Sequence, residues 1–412
     1  MLLSRILESA LTHGRLTLID SQGHAHRLGP GGTPEVAIQL RDPGLPRRLL
    51  FQPELAAGEA YMDGSLTIEQ GTLRDFLALA NQCAEAIAHQ PLQRILAAIG
   101  RPLRWLHQFN PSERAQRNIA HHYDLSDALY ALFLDKDRQY SCAYFPHGDE
   151  TLEQAQALKK RHIAAKLLLQ PGMRVLDIGS GWGGLALDLA RHDSVDVTGL
   201  TLSTEQLKVA RARTESEGLA PQVRFALRDY REEPGHYDRI VSVGMFEHVG
   251  VDHYRNYFRA LGRMLAPDGV ALVHAIGRAD PPGDTNAWTR KYIFPGGYCP
   301  ALSEVLAAVE HSGLWVTDLE ILRLHYAETL RHWFERFQAQ RERAKALYDE
   351  RFCRMWEFYL AGAEMAFRHG RMMVFQLQLA HRPDAVPLTR DYLYQKHRPA
   401  TIDLRSTYAQ GG

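Results

Sequence analysis

Residues Arg174–Leu185 read Arg-Val-Leu-Asp-Ile-Gly-Ser-Gly-Trp-Gly-Gly-Leu, and the reading of this stretch decides the fold. Val175, Leu176 and Ile178 form a short apolar run rich in β-formers, the mark of a buried strand. Gly179, Gly181, Gly183 and Gly184 interrupt it, and a helical pattern starts at Leu185. In a strand–glycine turn–helix unit the backbone approaches a ligand closely, because glycine has no Cβ to hold it off. Gly179, Gly181 and Gly184 also satisfy G-x-G-x-x-G, so a dinucleotide site is the first alternative. Two features disfavour it. Asp177, two residues before the first glycine, could hold an amino acid's ammonium through water. The next strand, Val195 to Thr201, lacks the acidic residue that a dinucleotide's ribose would want at its end.

Outward from this unit the pattern alternates as a doubly wound sheet requires. Upstream, Thr151 and Gln154 form a capping box that opens a helix reaching Leu169, and Pro171-Gly172 feeds the central strand. Downstream, Ser203 with Gln206 reads as a second capping box. Strand Val223 to Leu227 leads to Asp229-Tyr230, and strand Ile240 to Val243 leads to Gly244-Met245-Phe246-Glu247-His248. A helix from about 252 to 265 closes with Ala-Pro-Asp-Gly. Strand Val270 to Ala275, a helix from Ser303 to Ser312 and strand Trp315 to Leu322 follow. A helical block from about 328 to 370 precedes the last run, Val374 to Leu379, too long for an ordinary loop and so read as a lid or substrate wall. The expected fold is α/β: a doubly wound sheet with this long helical insertion before the last strand, plus a smaller N-terminal α+β domain.

That N-terminal unit, residues 1–110, carries short runs at Leu16 to Asp20, Val36 to Leu40 and Leu66 to Ile68. Turns are expected at 29 to 32 and 42 to 44, and a helix from Thr72 to about Ala88. Packing support, a homodimer surface and lipid handling are its readings. Pro91 to Asn110 reads as a linking helix with basic and apolar faces, and residues 111–412 form the larger domain.

The chain has 412 residues, enough for two domains, with Lys plus Arg and Asp plus Glu at 48 each. Net charge therefore points to no polyanionic partner, and no nucleic-acid binding is expected. The four cysteines show no C-x-x-C pair, so neither a disulfide framework nor a metal site is expected. The N-terminus lacks the pattern of a signal peptide, and no apolar stretch is long enough to span a membrane. A cytoplasmic protein, peripheral on the inner face of the membrane, is the expectation.

Leu-Asp-x-Gly-x-Gly-x-Gly at 176 to 183 resembles the S-adenosylmethionine (SAM) loop of class I methyltransferases. Four further segments resemble one family, the cyclopropane-fatty-acyl-phospholipid synthases and the related mycolic acid cyclopropane synthases. They are His-Tyr-Asp-Leu-Ser at 122 to 126, Tyr-Ser-Cys-Ala-Tyr-Phe at 140 to 145, Phe-Glu-His-Val-Gly at 246 to 250 and Tyr-Ile-Phe-Pro-Gly-Gly at 292 to 297. Thr-Leu-Ser-Thr-Glu-Gln at 201 to 206 is similar to the family's segment after the second strand. Gly-Glu-Ala-Tyr-Met-Asp-Gly at 58 to 64 extends the similarity into the first domain. Order and spacing together make the match specific.

The resemblance implies SAM as methyl donor, an unsaturated acyl chain of a membrane phospholipid as acceptor, and a bound bicarbonate as general base. Carried over by position, the SAM contacts would be Tyr140, Ser141, Gly179, Gly181, Thr201, Leu202, Gln206 and Tyr230. Asp177, Gly183, Ser203 and Asp229 join them as cofactor-site candidates. The bicarbonate contacts would be Cys142, Glu247, His274, Ile276 through its backbone, and Tyr326. One position departs: a cysteine common in the family's C-terminal helix aligns with Ala363, and Cys353, ten residues earlier, is too far to substitute.

An alkene is a poor nucleophile, so positioning against a strong electrophile in a dry pocket carries much of the rate. Methyl transfer leaves a carbocation, and closing the ring requires removal of a proton. Two neighbouring readings use the same fold: methylation of the alkene without ring closure, and methylation of a soluble amine. A lipid-binding protein without catalysis is a third. Lys159, Lys160 and Arg161 are the basic residues expected to meet anionic phospholipid. The aromatic residues of the block at 328–370 are expected in part to line an acyl tunnel.

Overall fold

The computed structural model describes residues 2–88 and 126–394. The linking helix expected at 91–110, the boundary at 110 and the first four residues of His-Tyr-Asp-Leu-Ser lie outside them. Two sheets organise the chain. The first is four-stranded, in the order β2-β1-β3-β4, from β1 (Gly14–Ile19), β2 (Ala25–Gly31), β3 (Glu35–Leu40) and β4 (Leu66–Gln70). Buried and partly exposed residues alternate strictly along β1, as in a strand covered on one face. β2 corrects the expected turn at 29–32: the strand runs on through Gly29, Pro30 and Gly31 at the sheet's edge, where a missing N–H is tolerated.

The second sheet has seven strands, in the order β10-β11-β9-β8-β5-β6-β7. They are β5 (Arg174–Ile178), β6 (Asp196–Thr201), β7 (Val223–Leu227), β8 (Tyr237–Val243), β9 (Leu265–Arg278), β10 (Trp315–Ile321) and β11 (Met372–Ala380). β5 to β9 are mutually parallel where paired, while β11 runs antiparallel to both β9 and β10. Val270 to Ala275 in β9 are all buried, as expected of a strand covered by helices on both faces. The helix expected from about 252 to 265 runs from Tyr254 to Met264, and the Ala-Pro-Asp-Gly that closes it, 266–269, already lies within β9. The ladder with β8 slips there, with Tyr237 opposite Leu265 but Arg239 opposite Val270. The extra residues are absorbed as an irregularity.

Between β10 and β11 the chain leaves the sheet as three helices, His325–Ala339, Arg341–Leu347 and Glu350–Arg368. Trp333, Phe337 and Trp356 are fully buried in a core that continues into the N-terminal unit through Met62 and Leu79. The N-terminal unit therefore packs on the helical insertion. Arg74 bonds Glu364, Tyr61 donates to Glu357 at 3.1 Å and Arg351 pairs with Asp63 at 2.8 Å. Gly58 is required where the N-terminal unit also meets the helix Ala287–Tyr292, because a Cβ there would sit 2.4 Å from the Trp288 ring. Among the described residues no helix is long and apolar enough to cross a membrane.

Candidate active site

A cleft of about 1250 Å³, its open mouth included, lies at the C-terminal ends of β5, β6, β7 and β8. Doubly wound sheets place ligands there. Tyr140, Ser141, Asp177, Gly179, Gly181, Thr201, Leu202, Gln206, Asp229 and Tyr230 all line it. Gly183 and Ser203 do not. Gly183 is the left-handed N-cap of the helix Gly184–Asp193, and Ser203 caps the helix Thr204–Ser216 by accepting from Gln206 N at 3.3 Å. The reciprocal half of the second capping box is missing, because the Gln206 side-chain oxygen is taken by Thr201 Oγ1 at 3.0 Å. Asp229 binds Arg231 through both carboxylate oxygens.

Two details fit a SAM-like ligand. Asp177 Oδ2 is buried without a hydrogen-bond partner, and burial pushes this carboxyl up to about 7. A ligand ammonium would satisfy it. Gly181 has φ +55°, and a Cβ built there meets no protein atom within 4 Å, so the space beside it is open. The sequence reading did not single out Arg138, Gln139, Gly244, Met245 or His248, which also line the cleft. Gly244 carried a signal: it follows a strand that ends in the site, and its φ is +67°.

Glu247 follows β8 in a short 3₁₀ turn, and its Oε1 accepts from the Ile276 backbone N–H at 2.6 Å. Its Oε2 is buried with no partner, and burial pushes the carboxyl up to about 7. Cys142 and Tyr326 share this environment, and Tyr326 feels the charges of both Cys142 and Glu247. The segment after Cys142 is tied to the helix carrying Tyr326, since Ala143 N donates to Thr329 Oγ1 at 3.0 Å. His274 lies two residues before Ile276 on β9, so the two side chains share a face. Gln376 Nε2 meets its Nδ1 at 3.1 Å, and burial holds the imidazole well below its usual range, hence neutral. Among the described residues no hydrogen bond joins His274 to the other four. Ala363 is half-buried on the helix Glu350–Arg368, whereas Cys353 is buried some 15 Å away along that helix, its thiol donating to Arg341 O at 3.8 Å.

Lys159, Lys160 and Arg161 are not a membrane surface. Leu152, Ala155, Gln156, Lys159, Lys160 and Ile163 form the buried stripe of the helix Leu152–Leu167 at i, i+3, i+4 spacing. Lys160 pairs with Asp137 and Asp188, and Arg161 with Asp188 and Asp193. The aromatic residues of the insertion pack on one another and on Phe133, Tyr61, Trp288, Phe294 and Tyr140, whose ring lies 5.1 Å from Trp333 and whose hydroxyl meets Tyr359 at 2.8 Å.

The sheet order, the glycine cradle and the unsatisfied Asp177 define a class I SAM-dependent methyltransferase. More narrowly, the chain belongs to the mycolic acid cyclopropane synthetase family, whose model matches residues 110–377. It is 38% identical over 346 residues to the cyclopropane-fatty-acyl-phospholipid synthase of Escherichia coli K12, covering 84% of this chain and 88% of that protein. A probable fatty acid methyltransferase of Pseudomonas putida is 39% identical over 394 residues, covering 92% of this chain and 96% of that one. The crystal structure of mycolic acid cyclopropane synthase CmaA1 complexed with SAH and CTAB is 35% identical. It covers 66% of this chain and 99% of its own, with a TM-score of 0.62.

The raised carboxyl of Glu247 has a consequence for stability. Its folded value of about 7 lies above the ordinary 4.5, so the folded state holds this proton more tightly than the unfolded state. The stability linked to it is full below about pH 4 and is lost as pH rises through 7. Glu247→Gln, which cannot ionise, is expected to be more stable than wild type at about pH 8, by roughly 1–3 kcal/mol. Thermal melts across pH check this: the gain must shrink towards about pH 4, and a pH-independent gain contradicts it.

Proposed function

We propose that this enzyme transfers a methylene group from SAM to the double bond of an unsaturated phospholipid acyl chain, closing a cyclopropane ring with bound bicarbonate as general base. The carrying observation is Glu247, with one oxygen fixed by the Ile276 N–H and the other buried and unpartnered near Cys142 and Tyr326. When bound, SAM would supply an electrophilic methyl group, and bicarbonate a base small enough to reach the new methyl's proton. Asp177 would hold the donor's ammonium, and the turn at Gly179 to Gly183 would let backbone close on it. Glu247 Oε2 would accept a hydrogen bond from the anion's hydroxyl. With Gln376 donating to Nδ1, His274 would carry its proton on Nε2 and donate it there. The buried aromatic wall from Tyr326 through Trp333 to Tyr140 would exclude water. Turnover of vesicles containing oleoyl chains, measured in CO₂-stripped buffer, should fall and return when bicarbonate is added. Indifference to bicarbonate removes the ion from the mechanism.

Methylation without ring closure is the second reading, favoured by the Pseudomonas putida relative's name at 39% identity. The cation it forms must be discharged too, by loss of a proton to give a methylene or by uptake of a hydride to give a saturated branch. The base site at Glu247 therefore serves both readings, and the product separates them.

A substrate held in a bilayer calls for a surface contact. The helix Leu45–Phe51 presents Arg47 to solvent, beside an Arg48 that is paired with Asp42 at 2.5 Å, and ends on Phe51, which is 76% exposed. A basic, aromatic tip suits an anionic interface. Phe51→Ala is expected to weaken binding to anionic vesicles about tenfold, since a buried Phe contributes about 1.5–3 kcal/mol. Arg47→Glu should lower it further and flatten its salt dependence. Sedimentation of vesicles checks both, and unchanged partitioning of both variants moves the contact elsewhere.

A further inference from the structure

Lys159 is a buried charge that the reaction just described leaves unused. It is 1% exposed, and among the described residues it makes no ion pair within 4.0 Å. Its Nζ donates to Gln139 Oε1 at 2.5 Å and to Ser141 Oγ at 2.9 Å. Both acceptors belong to residues that line the cofactor cleft. Gln156 on the same helix fixes that segment's backbone, donating to Gln139 O at 3.2 Å and Ser141 O at 2.9 Å. A buried ammonium without a close counter-charge costs several kcal/mol, so its retention calls for compensation. Asp135 and Asp137 supply part at longer range, and Lys160 opposes them. Asp137 is already paired with Lys160 and Arg213, and Asp135 accepts the Asp137 and Gln139 backbone N–H groups. Lys159 also lies within electrostatic reach of Cys142, Asp177 and His274.

The direction of these hydrogen bonds says what the cleft gains. An ammonium only donates, so Ser141 Oγ accepts from Lys159 and the hydroxyl's own hydrogen remains to be given away. Among the described residues no acceptor takes it. A hydroxyl polarised by a full charge is a strengthened donor. Ser141 thus offers the cleft a donor backed by a cation, while Asp177 offers an unsatisfied carboxylate oxygen.

We propose that Lys159 is a positioning residue which, through Ser141, makes this end of the cleft a seat for a carboxyl-type oxyanion. Two sources have that chemistry: the α-carboxylate of SAM, and the bicarbonate of the proposed reaction, of which only the second rests on that reading. Calorimetry with S-adenosylhomocysteine and with methylthioadenosine, which lacks the amino acid, tests the first without any turnover. Lys159→Met should weaken the former about tenfold and leave the latter unchanged, and Lys159→Arg should restore most of the loss. If the oxyanion is bicarbonate, both nucleosides bind Lys159→Met as they bind wild type. The bicarbonate concentration for half-maximal turnover then rises about tenfold instead. Ser141→Ala removes the donor while leaving the lysine its bond to Gln139, and should reproduce whichever selective loss is seen, even if Lys159→Met fails to fold. Parallel weakening of both nucleosides, or unchanged nucleoside binding together with unchanged bicarbonate response in Ser141→Ala, overturns the proposal. A wild type indifferent to bicarbonate overturns the proposed base instead and leaves the nucleoside comparison standing.

Discussion

Glu247→Ala is expected to lower turnover on the order of 100-fold or more while S-adenosylhomocysteine affinity stays within about twofold. The carboxylate lies outside the cofactor cleft's lining, so its loss should register in the rate and not in cofactor binding. Ile276 N–H would lose its acceptor and the anion its hydrogen-bond partner. Two mechanisms separate cleanly here. If Glu247 orients a bound ion, the wild type slows in CO₂-stripped buffer and recovers on addition of bicarbonate. If Glu247 removes the proton itself, Glu247→Ala is equally inactive but the wild type ignores bicarbonate. Single-turnover rates with pre-bound SAM, with and without the ion, read this difference.

Gly181→Val should abolish cofactor binding in a protein that still folds. A Cβ at this position meets nothing within 4 Å, so the new side chain would occupy the cleft and not a neighbour's space. A β-branched residue at φ +55° is also strained, which adds to the displacement. Gly179→Val would be a poorer experiment, because its Cβ would meet Met245 Cβ at 2.9 Å and confound folding with binding. Calorimetry and a thermal melt on Gly181→Val together check the expectation: a folded variant with wild-type affinity would move the cofactor elsewhere.

The sheet was legible in the sequence because each strand of the doubly wound unit is a compact apolar run bounded by strong turn residues. The capping box at Thr151 and Gln154 was legible for the same local reason, and both its hydrogen bonds are present. At Ser203 the same pattern misled: Gln206 had a competing partner in Thr201, five residues earlier at the end of β6. Lys159 and Lys160 were harder still. A basic run on a helix is usually a solvated face, and their burial depends on Gln139, Ser141, Asp137 and Asp188, none of which is local. Their spacing from Leu152, Ala155 and Gln156 was the available signal, since all five lie on one stripe. The placement of Glu247 at a strand's C-terminal end followed from the topology. Its bond to Ile276 joins two strand ends and could not be read from either alone.

The central claim is the identity of the product. Purified enzyme, methyl-labelled SAM and vesicles of an oleoyl phospholipid should yield acyl chains whose label sits in a cyclopropane ring, seen by NMR as upfield ring-proton signals with the alkene lost. Label in a methyl branch or an exocyclic methylene would contradict ring closure while keeping the methyl transfer, and no transfer to the acyl chain would contradict the account as a whole.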